Sequence, residues 1–332
     1  FRSDVLKQEQ QFPENTCFLI GCSGGMDSML LLHLMSYLYP EKIRAIYIDH
    51  QLQMPSASWG TFVSDQCAAL NVPCIVEAVK VQAGNVEQQA REARYQAYLK
   101  HLKPNEILVL AHHQQDQAET LILRLLSGAG VQGLSAMKQV DIREHFSLWR
   151  PLLNISREQI CQWAAQLDVQ NIEDPSNLNT DYDRAWCRHE LWPMLQNRYP
   201  KMQQALSRTS YLMQDADEIL HDVLQQDWVF CGTAIELDLK KLSGLSTARQ
   251  RQLLSAWMKG QDRYRPSFEM VERLRYEVIE SKSDAQAALH WNQYHYVRYQ
   301  QKLFRLSLDE YLADKNQLDT LITTIQVQFN QS

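Results

Sequence analysis

The residues best suited to chemistry are Ser23-Gly24-Gly25-Met26-Asp27-Ser28. Successive small residues let backbone N–H groups converge on an anion, and a following helix adds a favourable field at its N-terminus. The two serine hydroxyls can donate to phosphate oxygens. Asp27 repels phosphate, so its natural partner there is Mg²⁺ bridging to the phosphates. The Walker loop needs a lysine before its Ser/Thr, and the dinucleotide fingerprint needs three spaced glycines; neither describes this loop. A plain turn would use the same residue types, but this one follows the first apolar run of the chain.

Three further constellations carry charge. His112-His113-Gln114-Gln115-Asp116 runs on to Glu119 after the fourth strand-like run, Ile107–Ala111. Asp116 and Glu119 are three apart and share a helix face, where they could hold the same Mg²⁺ as Asp27. Acids are also favoured at a solvated helix start. Adjacent histidines point apart, so one is expected in the site and one in a structural role. Glu87, Arg91, Arg94 and Tyr98 form a helical stripe that suits phosphate or RNA, or an exposed salt-bridged face. Arg184 and Arg188 are four apart and follow Glu173-Asp174-Pro175-Ser176-Asn177. Two guanidiniums projecting together make a phosphate clamp, or ordinary surface arginines.

Positioning these groups requires alternating strands and helices. Cys17–Gly21, Ile43–Ile48, Cys74–Val79 and Ile107–Ala111 read as strands. Ser28–Tyr39, Ser58–Leu70, Asn85–Leu102 and Gln117–Leu126 read as the helices between and after them. This pattern predicts βαβ units and a parallel, Rossmann-like sheet covered on both faces. Ligands bind at the carboxyl ends of such strands. The glycine loop, Asp49-His50 and His112-His113 all fall there. Ser156–Leu167 is expected to be a helix with a capping box from Ser156 and Gln159. Beyond Pro200 the βα character is lost. Helices are expected near 201–228, 247–260 and 267–280, with short strands at Ala234–Leu239 and Tyr294–Arg298. The reading is therefore an α/β catalytic domain over 1–200, a smaller mainly helical domain over 201–306, and a tail or remnant of a C-terminal domain over 307–332.

The 332 residues suffice for about two domains at roughly 150 residues each. No apolar run reaches the roughly 20 residues that span a membrane, and the polar first dozen residues lack the core of a signal peptide. Seven cysteines, with no C-x-x-C spacing, speak against a disulfide framework and for reduced thiols in a cytoplasm. A net charge of −6 leaves nucleic-acid binding to local patches.

Read together, the motifs resemble a known family. SGGMDS is similar to the loop of the PP-loop, or N-type ATP pyrophosphatase, superfamily. HHQQDQAETLILRLLSGAGVQGLSAM resembles HHxDDQxETxLLRLxRGSGxxGLxGM of the tRNA(Ile)-lysidine synthetases. WRPLL, EDPSN and Y-x-R-x-x-x-R-x-E-L-x-P-x-L resemble the same family in the same order. The likeness covers about residues 15–200 well and continues weakly to about 306.

The resemblance implies ATP, Mg²⁺, free L-lysine and a tRNA(Ile) with a CAU anticodon. The wobble cytidine would be adenylated, with loss of pyrophosphate; lysine would then displace AMP. Ser23, Gly24, Gly25, Met26, Asp27, Ser28 and Asp49 would bind the nucleotide. Asp27, Asp116 and Glu119 would manage Mg²⁺. His112 or His113 would line the reaction centre, and Arg184 would share in catalysis. Arg91, Arg94 and Arg188 would contact tRNA or phosphate. Arg249, Arg251, Arg263, Arg265, Arg273 and Arg275 would hold the tRNA backbone or form a solvated surface. A homodimer through the first domain fits the family. Two departures stand out: Gln115 replaces the first acid of the family's Asp-Asp, and Ala185 replaces an asparagine. The other readings of such a loop are a tRNA-thiolating enzyme, a small-molecule adenylating ligase and a tRNA-binding module with an inactive loop.

Overall fold

The computed structural model describes residues 5, 8–52, 56–81, 86–143, 146–260, 262, 265–281 and 287–313. Asn85, Arg263 and most of the tail expected over 307–332 lie outside these residues, as do the side chains of Ser176 and Asn177. The chain divides into two compact units, residues 1–217 and 218–332.

The first unit is built on β1 (Cys17–Gly21), β2 (Ile43–Asp49), β3 (Cys74–Ala78), β4 (Glu106–Val109), β5 (Val140–Ile142) and β6 (Ser147–Trp149). Their order is β3-β2-β1-β4-β6-β5, with all neighbours parallel except the β5–β6 pair. That antiparallel edge was not anticipated, because its strands are three residues each and too short to show a period. β1 is central and apolar because helices cover both faces of the sheet. Phe18, Leu19 and Ile20 are essentially fully buried, each worth about 1.5–3 kcal/mol relative to an exposed position.

The helices of this unit are α1 (Met26–Leu38), α2 (Ser56–Ala69), α3 (Val86–His101), α4 (Gln114–Leu126), the single turn α5 (Val131–Leu134) and α6 (Arg157–Gln166). After them, α7 (Asp183–Trp186) runs through a π-turn over Cys187–Leu191 into α8 (Trp192–Arg198). The capping box expected at Ser156 forms: Gln159 N–H donates to Ser156 Oγ, and Ser156 N–H donates to Gln159 Oε1. The strand order reverses direction of travel at β1, whose neighbours β2 and β4 are entered by opposite crossovers. The crevice between the carboxyl ends of β1 and β4 is the topological switch point, where open α/β sheets bind ligands.

The long helix α9 spans Met202–Cys231 and contains the boundary between the units. The second unit adds α10 (Leu239–Ser243), α11 (Thr247–Lys259) and α12 (Phe268–Arg273), the last continuing as a π-turn to Ile279. Beside them lies an antiparallel sheet of order β7-β10-β9-β8, from β7 (Glu236–Asp238), β8 (Ala288–Trp291), β9 (Tyr294–Tyr299) and β10 (Lys302–Ser307). The three expected helices are present. The sheet is larger than two short strands, since β8 and β10 add to those read from the sequence. Its core is Trp257 against Tyr296, with Leu237, Leu253, Leu254, Leu274, Val278 and Leu303. No helix among the described residues is long and apolar enough to cross a membrane.

Candidate active site

The Ser23–Ser28 loop leaves β1 and enters α1 at the switch point. Ser28 Oγ organises it, donating to the Gly25 carbonyl at 2.9 Å and accepting from Ser23 N–H at 3.1 Å. Gly24 has φ +85, which favours glycine. A Cβ there would also stand 2.9 Å from Ile172 Cδ1. The Gly24 carbonyl accepts from Ile172 N–H, which pins the loop to the irregular segment before Glu173. Gly25 caps α1 with no side-chain bond to the helix's first amides; Ser28 N–H turns back to the Gly25 carbonyl at 3.1 Å, and the amides before it, of Met26 and Asp27, stand where a helix N-terminus meets an anion.

Across the crevice, His113 caps α4. Its Nδ1 accepts from Gln115 N–H, so the ring proton sits on Nε2, which faces Asp116 Oδ2 at 3.5 Å and Asp27 Oδ2 at 3.7 Å. Of the adjacent pair, His113 is therefore the buried capping residue, and it touches both acids. His112 is half-buried with an unpartnered Nδ1. Burial, helped by Arg150, Arg184 and Arg91, lowers its pKa to about 3 against the pull of Asp116. The ring is accordingly neutral at ordinary pH.

Asp27 bridges the two sides. Its Oδ2 meets His113 and, at 3.6 Å, Arg157 Nη1. Its Oδ1 is buried and has no hydrogen-bond partner. Burial raises its pKa, Asp116 adds to the rise, and His113, Arg157 and Arg188 oppose it. Burial alone would also raise Asp116. The adjacent His113 ring, the charge of Arg184 and the His113 backbone N–H, which donates to Oδ2 at 2.9 Å, outweigh it and hold the carboxyl well below the usual range.

Glu119 sits one turn on and is fully buried. Its Oε1 accepts from Arg188 Nε at 2.8 Å and from Gln115 Nε2 at 3.0 Å. Its Oε2 accepts from Arg188 Nη2 at 2.9 Å and Arg184 Nε at 3.3 Å. Both guanidiniums also reach Asp116 Oδ1, at 3.3 and 3.4 Å. The expected ligand set Asp27, Asp116 and Glu119 is thus not an open trio of carboxylates. Both oxygens of Glu119 are taken by arginines, and no group of three or more His, Cys, Asp or Glu among the described residues is arranged to hold a metal. The orphaned Asp27 oxygen is the position that fits a hard cation. Gln115 donates to Glu119 as an acid could not, so this departure from the family pattern steadies the carboxylate.

The other expected contacts divide. Asp49 is buried at the end of β2 and its carboxylate accepts from Gln51 N–H. Arg94 Nε donates to His50 Nε2 at 3.4 Å, which brings the α3 stripe to the sheet's carboxyl edge. Arg91 is exposed and lies over the Tyr95 ring at 5.0 Å. Tyr98 instead turns inward, against Gly21. In the second unit Arg249 pairs with Asp227, Arg251 with Glu272, Arg273 with Glu277, and Arg275 with Glu272 and Glu280. Arg265 reaches Gln252. Those side chains are engaged within their own unit.

Two residues of the site were missed from sequence. Arg157 opens α6 and contacts Asp27, a contact with no local signal because the two are far apart in the chain. Arg150 is buried, its Nη1 donating to the Lys138 carbonyl while Nε has no partner; its place within WRPLL carries no spacing that marks it. Gly128, Gly130 and Gly133 match the letters of the dinucleotide fingerprint, but they follow α4 and no strand.

Comparison with known proteins bears on this geometry. Residues 2–195 match the family described as the PP-loop domain, and residues 237–304 match the TilS substrate binding domain. The chain is 59% identical to the tRNA(Ile)-lysidine synthase of Acinetobacter baylyi over 332 residues, covering all of this chain and 72% of that protein. It is 39% identical to the enzyme of the same name from Proteus mirabilis, over 92% of this chain and 71% of that one. Among solved structures, the U34-tRNA thiolase NcsA from Methanococcus maripaludis superposes with a TM-score of 0.51 at 14% identity, over 64% of this chain and 78% of that one, a likeness of fold. With a PP-loop domain, a matching substrate-binding domain and identity running the length of the sequence, the chain belongs to the tRNA(Ile)-lysidine synthase family of ATP-using ligases.

Proposed function

We propose that this chain joins free L-lysine to the wobble cytidine of a tRNA(Ile) with a CAU anticodon, consuming ATP and releasing AMP and pyrophosphate. The observation that carries the reading is the meeting of Asp27, from the phosphate-cradling loop, with His113 and Asp116 across the switch point. It puts a phosphate cradle and a charged, partly buried second site in one crevice.

In this reading Ser23, Gly24, Gly25, Met26 and Ser28 hold the β- and γ-phosphates through amides and hydroxyls. Asp49, at the end of β2, lies where the nucleoside end of ATP would be held. The cytidine 2-oxygen attacks the α-phosphorus, and the bridging oxygen leaves with its electron pair as pyrophosphate. The lysine ε-amine then adds to the activated ring carbon, loses its proton, and AMP departs. Asp27 would hold Mg²⁺ with Asp116 beside it. The ion would neutralise charge that builds on the phosphate oxygens.

The protein's own groups prepare both steps. Neutral His112 lines the centre, and its free Nδ1 can accept a hydrogen bond from substrate. Glu119 holds Arg184 and Arg188 in a fixed fork, so that the face of each guanidinium left over can meet phosphate or the RNA backbone. Arg91 and Arg94 would contact the tRNA at the sheet's edge, and the wobble base must be splayed from its stack to enter.

The matched families support a catalytic domain over about residues 1–200 and a substrate-binding domain over about 201–306. A cytoplasmic location and a homodimer through the first domain complete the proposal.

The decisive assay incubates the protein with ATP, Mg²⁺, labelled lysine and tRNA bearing CAU. Label should enter that tRNA, with AMP and pyrophosphate formed in step. ATP turnover without label in RNA would replace this reading with a small-molecule ligase. RNA binding without AMP would reduce the chain to a binding module.

A further inference from the structure

The geometry points to Arg157 as the residue that grips the leaving pyrophosphate from beside the Ser23–Ser28 loop, after standing in as counter-charge to Asp27 while no nucleotide is bound. The inference rests on the ATP-dependent reading above.

Three observations carry it. Arg157 Nη1 lies 3.6 Å from Asp27 Oδ2, longer than a hydrogen bond, and its side chain is 43% exposed. Such a pair is weak and easily exchanged. Secondly, the segment that bears Arg157 is fixed. Gln114 N–H donates to the Ile155 carbonyl at 3.0 Å, tying the turn before α6 to the start of α4. Ser156 caps α6 immediately before Arg157. The guanidinium therefore hangs from a fixed base beside the loop on a long, partly exposed stem. Thirdly, Arg184 and Arg188 are committed to Glu119 and Asp116, whereas among the described residues Arg157 meets one oxygen of Asp27 alone.

The charges decide the exchange. Asp27, Asp116 and Glu119 stand against Arg157, Arg184 and Arg188 in the free protein. A nucleotide triphosphate adds several negative charges next to Ser23–Ser28. A divalent cation on Asp27 repels the guanidinium it replaces. Arg157 then finds its best partner in the β- and γ-phosphate oxygens, which a planar fork can engage in pairs. When the bond from the α-phosphorus to the bridging oxygen breaks, the electron pair goes to pyrophosphate, and Arg157 meets the charge where it develops.

The test uses the full chain as wild type, Arg157→Ala and Arg157→Lys, with unchanged circular dichroism as the check on folding. Inorganic pyrophosphate, ATP and AMP are each titrated in the presence of Mg²⁺. Arg157→Ala should weaken pyrophosphate and ATP by about tenfold and leave AMP unchanged, and Arg157→Lys should recover part of the loss. Steady-state kinetics should show the same rise in KM for ATP. Unchanged pyrophosphate affinity in Arg157→Ala, or an equal loss for AMP, overturns the inference while leaving the ATP-dependent reading intact. A wild-type protein that binds neither ATP nor pyrophosphate overturns both.

Discussion

Arg188 closes on Glu119 with two nitrogens, Nε at 2.8 Å from one carboxylate oxygen and Nη2 at 2.9 Å from the other. Arg184 adds a third donor to the same carboxylate, and Gln115 a fourth. A fully buried anion with this many donors fixes the rotamers of both arginines, and so the part of each that faces the crevice.

Removing that anion should cost stability as well as activity. Glu119→Ala leaves two guanidiniums sharing a single acid, Asp116, in place of two. The expected loss is about 3 kcal/mol, the low end for a broken buried pair because both arginines are partly exposed. Urea unfolding measures it. A loss within experimental error of zero would show that the arginines find other partners.

Asp27→Asn keeps the shape of the side chain and removes its charge. Turnover with ATP and Mg²⁺ should fall by about 10²–10³, with tRNA affinity nearly unchanged. Single-turnover AMP formation and filter binding of the tRNA separate the two. An equal loss in both would contradict a role confined to the metal and phosphates.

Gly24→Ala combines a strained backbone with a close contact to Ile172. The left-handed conformation alone should cost about 1–2 kcal/mol. ATP affinity should drop with it, because the loop is the phosphate cradle. Truncating Ile172 in the same protein relieves the contact but not the backbone, so Gly24→Ala with Ile172→Ala should recover only part of the affinity. Full recovery would assign the effect to the contact alone.

Acid should destabilise the fold through two histidines. His112 is lowered to about 3 and His50 to about 4, each chiefly by burial. In the unfolded chain both take up a proton near pH 6.5. The unfolded state therefore binds more protons as pH falls from about 6.5 to about 4, and stability declines across that window. Replacing both residues with asparagine should flatten the slope of unfolding free energy against pH there. A slope unchanged by the double substitution would place the acid sensitivity elsewhere.

What the sequence made legible was local. The strand–loop–helix at Ser23–Ser28 and the apolar runs of β1 to β4 show within a dozen residues, as does the Ser156 capping box. Family motifs then placed Asp116, Glu119, Arg184 and Arg188 in one site. Spacing could not say that Glu119 would give both oxygens to the arginines, because the partners stand 65 and 69 residues apart. Arg157 was invisible for the same reason, since only folding brings α6 to α1. In the second unit β8 and β10 escaped notice because strands of four and six residues with mixed polarity carry little period. The arginines there read equally as RNA contacts or as a solvated surface, and spacing alone does not show the acidic partners that Arg249, Arg251, Arg273 and Arg275 have.

The span between Glu119 and Arg188 also bears on how the protein is made. Every strand of the larger sheet has left the ribosome once Trp149 has itself emerged. Glu119 then still lacks both of its arginines, which follow 65 and 69 residues after it. Burying that carboxylate before they emerge is unfavourable, so α4 cannot seat against the growing chain at that stage. The nascent first unit must wait for residue 188 to complete its crevice. Chains ending between Trp149 and Arg184 should be caught by chaperones or proteases, whereas chains extended past α8 should resist digestion.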